Sequence, residues 1–197
     1  MLQAQILYHH QGILVVNKPF GLPSQATKTG ESNLYEQLKE QFPTIGLHHR
    51  LDQTASGLML FTTEQRWNKA ISEGFQKHTI QREYFCWVLG TPPKSGSWNH
   101  QLDGKTAITH FQRLESNGDS SKLNIKLQTG RTHQIRRHTQ KAGFPILGDR
   151  RYGSFAGKLW PRLCLHAHTL RFIHPATQEV TEVQSVLPDD LIGIMGD

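Results

Sequence analysis

Five consecutive residues, His48-His49-Arg50-Leu51-Asp52, crowd two imidazoles, a guanidinium and a carboxylate into one short stretch. A polar turn, Gln53-Thr54-Ala55-Ser56-Gly57, follows, and then the apolar run Leu58-Met59-Leu60-Phe61. That order describes a charged loop held against a buried strand, and loops on rigid scaffolds carry function more often than the elements they join. A carboxylate held in such a turn can act as nucleophile or base if neighbouring groups keep it ionised and water is kept away. An acidic residue beside Arg50 is more often a surface ion pair, and the stretch by itself leaves both readings open.

Gly130-Arg131-Thr132-His133-Gln134-Ile135-Arg136-Arg137-His138 offers a charge partner. A strand ending at Leu127 and a helix starting near Thr132 would place Arg131 at a helix N-terminus, where exposed amides favour anions. Arg136 lies about one turn on, and a guanidinium stays charged and can hold a carboxylate through two parallel hydrogen bonds. Solvated arginines decorating a helix end are the plainer alternative. Tyr84, at the start of an apolar strand, reads as core or as a ring on which a nucleobase stacks, a contact worth about 1–3 kcal/mol. Twelve histidines raise the question of metal, and His166-Ala167-His168 with His174 is the best candidate cluster. There is no Cys pair and no His-Glu-x-x-His helix, so no metal is expected. Phosphate-binding glycine loops, dinucleotide fingerprints and Gly-x-Ser-x-Gly elbows are absent too.

The elements that must position these groups read as α+β: a mixed, mainly antiparallel sheet with a few flanking helices. Residues 6–8 and 13–17 form a hairpin, Lys18 to Pro23 a turn, and Asn33 to Phe42 a helix ended by Pro43. Leu58 to Phe61 is a buried strand. Thr62 or Thr63 caps a helix reaching Lys77, with Trp67, Ala70, Ile71 and Phe75 as its core stripe. Tyr84–Leu89 reads as a central strand buried on both faces. Strands follow at 98–102 and 107–114, and after a hairpin turn at Ser116-Asn117-Gly118-Asp119 another runs through Leu123, Ile125 and Leu127. A helix from about Thr132 to Lys141 precedes the loop-rich stretch Ile146–Gly157. Strands at 163–172 and 180–186 and a short helix at 188–195 close the chain.

The 197 residues suit a single domain, 1–197, with no linker dividing it. The N-terminus is not a secretory signal, and no apolar stretch approaches a membrane span of roughly 18 residues. Two cysteines in apolar surroundings, Cys86 and Cys164, read as buried thiols. A cytoplasmic monomer is expected. A net charge of +6, thickened around Arg131–Arg137 and Lys141–Arg151, favours polyanionic partners.

Taken in order, these stretches resemble the RluA-type pseudouridine synthases. Val15-Val16-Asn17-Lys18-Pro19-Phe20-Gly21-Leu22 looks like that family's first motif, and His49 to Leu58 like its aspartate motif. Arg82-Glu83-Tyr84 with Val88 and Gly90 looks like its tyrosine motif, and Thr129 to Arg136 like its arginine motif. Gly143 to Tyr152, then Leu165-His166-Ala167 and His174-Pro175, complete the pattern.

The resemblance implies the pseudouridine synthase fold with a central active-site cleft. It implies isomerisation of a uridine in tRNA or rRNA to pseudouridine, with neither cofactor nor metal. On the family's pattern Asp52 is the nucleophile, Tyr84 stacks on the uracil and helps remove the C5 proton, and Arg136 pairs with Asp52. Arg50, Arg131, His133 and Leu165 are the expected RNA and base contacts. A base within a duplex must be flipped out at a cost of a few kcal/mol, which phosphate contacts to a basic surface offset. Many members carry an extra N-terminal S4-like domain. This chain begins almost directly at the catalytic part, so RNA selection is expected from its own loops, Gly21–Glu31 and the basic run Lys141–Arg162. Two other readings remain: an RNA-binding module without chemistry, and a glycosidic hydrolase, which would want a second carboxylate as acid.

Overall fold

The computed structural model describes residues 2–28, 30–154 and 160–194. The chain forms two compact units, Met1–Gln81 with Ala167–Ser185, and Arg82–His166 with Val186–Asp197.

In the first unit, β1 (Gln5–His10) and β2 (Ile13–Lys18) form the expected hairpin, Ile6 opposite Val16 and His10 opposite Ile13. β2 pairs antiparallel with β4 (Ser56–Thr62), and the two-residue β3 (Gly46–Leu47) adds to the end of β4. β9 (Leu165–Ile173) lies beside β4 and pairs with β10 (Val180–Gln184). Every residue of β4 is buried, which explains its continuous apolar run. Ile13, Val15, Leu58, Leu60, Ile71, Ile80, Leu170, Phe172 and Val183 form one core cluster, with Trp67 and Phe75 packed on it. The helix α1 (Leu34–Lys39) is capped by Asn33, whose side chain accepts from the Glu36 amide.

The second unit holds an antiparallel run of strands in the order β5 (Gln81–Leu89), β8 (Ser120–Leu127), β7 (Thr109–Ser116) and β6 (Ser95–Trp98). Tyr84, Ile125 and Phe111 face each other across three strands on the buried side. The helix α3 (Gln134–Lys141) reaches β7 through Gln134 and His138, which both bond the Thr109 hydroxyl.

Several element boundaries differ from expectation. Thr62 and Thr63 cap nothing: a 3₁₀ turn at Gln65–Trp67 leads into α2 (Asn68–Gln76), and its cap residue Trp67 makes no side-chain cap bond. The Thr62 hydroxyl instead bonds the Asn68 side chain. Tyr84–Leu89 of β5 is not buried on both faces throughout, because Phe85 and Leu89 are half-buried. β6 covers Ser95–Trp98 and so meets the expected 98–102 only at Trp98; its exposed first three residues carry no apolar alternation to reveal them. The last predicted helix is a 3₁₀ turn at Asp189–Leu191, with Met195 outside the described residues. No helix is long and apolar enough to cross a membrane among the described residues.

Candidate active site

In the first unit, the chain on either side of Asp52 is pinned by a buried lysine and a buried serine. Lys18 is fully buried. Its Nζ donates to the carbonyls of Ala55 at 2.7 Å, Leu22 at 2.8 Å, Pro19 at 3.0 Å and Gln53 at 3.3 Å. An ammonium has three N–H groups and no acceptor, so these carbonyls share it. The turn after β2 is thereby tied to the turn after Asp52, and the Gly21 amide adds a bond to the Gln53 carbonyl at 2.9 Å. The Ser24 hydroxyl donates to the Leu51 carbonyl at 2.7 Å and accepts from the Leu51 amide at 3.1 Å. Residues 51, 53 and 55 are thus anchored through their backbones. Asp52 stands half-buried among them, its own carbonyl accepting from the Ala55 amide at 3.0 Å. Gly57 has φ +114°, and a Cβ there would overlap the Ala167 carbonyl, so β4 can approach β9 this closely only with glycine.

The two histidines before Asp52 are framework. His49 Nε2 accepts from the Leu60 amide at 2.9 Å, and its ring stacks on Phe75 at 4.5 Å. His48 Nε2 lies 2.9 Å from the Thr62 hydroxyl and Nδ1 2.9 Å from the Ser72 hydroxyl. Because Thr62 donates onward to Asn68, its oxygen accepts from His48; the proton belongs on Nε2, and Nδ1 accepts from Ser72. Burial lowers the His48 pKa to about 4, so the imidazole is neutral. Arg50 is exposed.

In the second unit, the start of α3 differs from the predicted anion site. The helix begins at Gln134, and His133 before it adopts the left-handed conformation, φ 53°. The Gln134 side chain fills the helix start. Its Oε1 accepts from the Arg131 amide at 3.0 Å and the Thr129 hydroxyl at 2.8 Å. Its Nε2 donates to the Ile108 carbonyl at 3.0 Å and the Thr109 hydroxyl at 2.9 Å. A protein amide thus takes the role expected of an anion.

Arg136 is buried and pairs with Asp149 through both prongs of its guanidinium, Nε to Oδ2 at 2.8 Å and Nη2 to Oδ1 at 2.9 Å. Asp149 Oδ1 also accepts from the Arg151 and Tyr152 amides, each at 3.0 Å. Burial alone would raise the Asp149 pKa, but the Arg136 and amide hydrogen bonds, with the Arg136 charge, outweigh it and hold the carboxyl below its usual range. Gly148, φ +74°, sets this turn, since a Cβ there would overlap the Arg162 carbonyl. The Tyr152 ring lies 5.1 Å from the Arg136 guanidinium, and its hydroxyl is 3.0 Å from His133 Nδ1.

The second unit therefore draws His133 and Arg136 into one cluster with Asp149 and Tyr152. Arg131 is half-buried and donates to the Thr106 carbonyl at 2.9 Å. Tyr84 and Leu165 are buried, each 5% exposed. His166 is fully buried, and His168 bonds its neighbour Thr169 at 2.8 Å. No group of three or more His, Cys, Asp or Glu is placed to hold a metal among the described residues. The sequence reading missed the parts played by Lys18, Ser24, His48, Asp149 and Tyr152. Lys18 and Asp149 lay inside stretches already singled out, but nothing local shows that a lysine is buried or that an aspartate faces an arginine 13 residues away.

Comparison with known proteins bears on the family and the fold. The RNA pseudouridylate synthase family profile matches residues 12–141. The chain is 30% identical over 213 residues to YhcT, an RNA pseudouridine synthase of Bacillus subtilis strain 168, covering 96% of this chain and 70% of that protein. It is 31% identical over 226 residues to ribosomal large subunit pseudouridine synthase D of Vibrio cholerae, covering 97% and 69%. Among solved structures, human RNA pseudouridylate synthase domain containing 1 superposes with a TM-score of 0.79 at 25% identity, covering 95% of this chain and 84% of that one. The human domain-containing 4 protein has the same fold, with a TM-score of 0.80 at 21% identity and coverage of 95% and 90%. The chain belongs to the RNA pseudouridylate synthase family. It is an isomerase acting on RNA uridine, and the resemblance to the RluA-type enzymes holds.

Proposed function

We propose that this enzyme isomerises one specific uridine of ribosomal or transfer RNA, with Asp52 as nucleophile acting on a base flipped out of its stack. The observation that carries the assignment is the anchoring of residues 51, 53 and 55 by Ser24 and Lys18, which holds the half-buried Asp52 in one place. A carboxylate so held loses little freedom when it reacts. In the reaction the N1–C1′ bond breaks, the uracil turns while still bound, and C5 bonds C1′; the C5 proton leaves and N1 regains one. Tyr84 is the proposed stacking ring and helper in C5 deprotonation. Arg136, oriented by Asp149, is the proposed charge partner of Asp52. Arg50, Arg131, His133 and Leu165 are the proposed contacts to the nucleotide and its surrounding RNA.

The V. cholerae relative is named for the large ribosomal subunit, so large-subunit rRNA is the first substrate to try, with tRNA second. The proposed location is the cytoplasm, which the two buried free thiols fit, and the proposed state is a monomer. Purified protein is incubated with total RNA, and pseudouridine is mapped by carbodiimide adducts that stop reverse transcription. Wild type should add stops at a defined uridine, and Asp52→Asn should add none. Equal activity of Asp52→Asn sinks the nucleophile assignment. Release of free uracil would mark a hydrolase, and binding without modification a pure RNA-binding module.

A further inference from the structure

Of the described Phe, Tyr and Trp side chains only Phe20 is exposed, at 41%; the others are buried or half-buried. Single exposed apolar residues are common on protein surfaces, so exposure alone assigns no role, but the setting of Phe20 is particular. Both peptide groups that flank it are bonded within the first unit. The Pro19 carbonyl accepts from Lys18 Nζ at 3.0 Å, and the Gly21 amide donates to the Gln53 carbonyl at 2.9 Å. The Gln53 carbonyl also accepts from Lys18 at 3.3 Å, and Gln53 directly follows Asp52. The exposed ring is therefore carried on backbone fixed to the turn that holds the candidate nucleophile, and the catalytic assignment gives it no part.

The surface beside the ring is open. Gly21 has φ +86°, and no atom outside its chain neighbours lies within 4 Å of where a Cβ would stand. Arg50, Gln53 and Thr54, which flank Asp52 in sequence, are exposed too. Turning one base out of a strand takes a stacking partner from the base next to it. An aromatic ring can cover the face so bared, and such stacking is worth about 5–150-fold in affinity for each base. A ring on backbone that is already fixed gives up only side-chain freedom when it binds.

We propose that Phe20 is the stacking platform for the nucleobase next to the flipped uridine in the substrate RNA. The proposal rests on the reading that places that uridine at Asp52. Phe20 acts in binding, by covering the face that flipping bares, and takes no part in making or breaking bonds. Every base has a face to stack, so the platform selects an unpaired neighbour and not its identity. A duplex keeps its base faces within its own stack and gains nothing from the ring.

The first test is fluorescence anisotropy with a fluorescein-labelled 20-nucleotide oligouridine and a duplex of equal length. Phe20→Ala, and Phe20→Leu, which stays apolar but loses the flat face, should bind oligouridine about 5–50-fold more weakly than wild type. Phe20→Tyr should stay within about twofold of wild type. The log–log salt slope should be the same in all of them, because stacking releases no counterions. Duplex binding should change less than twofold, as should oligouridine binding by Ile173→Ala, which removes another exposed apolar side chain of the first unit. Wild type that fails to bind oligouridine, Phe20→Leu that binds like wild type, or an equal loss in Ile173→Ala would each overturn the platform. The second test is single-turnover pseudouridine formation at the uridine mapped in total RNA. Phe20→Ala should need about 5–50-fold more enzyme for half-maximal rate, with the loss in that concentration rather than in the rate at saturation, whereas Asp52→Asn should form none at any concentration. An unchanged half-maximal concentration would detach Phe20 from the modified site. No pseudouridine from wild type would sink the catalytic reading and the neighbour assignment with it, while the oligouridine measurements by themselves decide the stacking.

Discussion

Each unit has one buried cation in its candidate catalytic stretch, and the two are bound differently. Lys18 binds the chain: its ammonium is shared among four backbone carbonyls from two turns. Arg136 binds a side chain: its guanidinium matches the two oxygens of Asp149. A lysine is a compact charge with three rotatable donors and suits acceptors that converge from several directions. An arginine is a flat fork and suits one planar acceptor in a set orientation. Lysine is therefore found where a backbone path must be fixed, and arginine where the guanidinium itself must be aimed. Asp149 further takes two amides from its own turn, so the carboxylate that aims Arg136 is itself locked.

The sharpest way to break this comparison is to strip each cation of its acceptors or its charge. Asp149→Ala leaves the Arg136 charge buried without its main partner, and the expected loss is about 3–5 kcal/mol of unfolding free energy in urea. A loss under about 1 kcal/mol would mean the pair does not fix the arginine. Lys18→Met keeps the volume but leaves four carbonyls facing an apolar chain. The expected loss is about 2–3 kcal/mol, with pseudouridine formation falling further than stability because the Asp52 loop loosens. Unchanged turnover in a folded Lys18→Met protein would detach Lys18 from the Asp52 loop.

A smaller effect comes from pH. Folding holds His48 neutral, with a pKa near 4 against an ordinary 6.5. Between those values the unfolded chain binds more protons, so the His48 contribution is complete above pH 6.5 and is lost as pH falls toward 4. The partly exposed ring limits the loss to roughly 1–2 kcal/mol. Burial also lowers the His138 pKa, which adds a slope of the same sign. Urea unfolding of wild type and His48→Asn between pH 7.5 and 4.5 should show a shallower slope in the variant. Equal slopes would remove His48 from the framework of the Asp52 loop.

Much of the architecture was legible in the residue order. The β1–β2 hairpin, β4, the β7–β8 turn and the existence of the helix α1 follow from alternation, apolar runs and turn chemistry, which act between near neighbours. The start of the solvated edge strand β6 was not legible, because Ser95-Gly96-Ser97 precedes its single apolar residue, Trp98, and shows no apolar alternation. Nor was the true start of α3, where the expected anion site is filled by Gln134 reaching back to Thr129 and across to Thr109.

The same division runs through the site. The sequence by itself determined the family, the candidate nucleophile Asp52, and the short stretches that carry Asp52, Tyr84 and Arg136, because each motif packs its chemistry into a few adjacent residues. Only the tertiary structure decided what holds them. Lys18 reaches carbonyls 35 and 37 residues away, Ser24 meets Leu51 across 27 residues, and Asp149 meets Arg136 across 13. Such pairings depend on which backbone groups converge once the sheets have formed, and a lysine or an aspartate read in its local stretch looks the same whether it is solvated or buried and bonded.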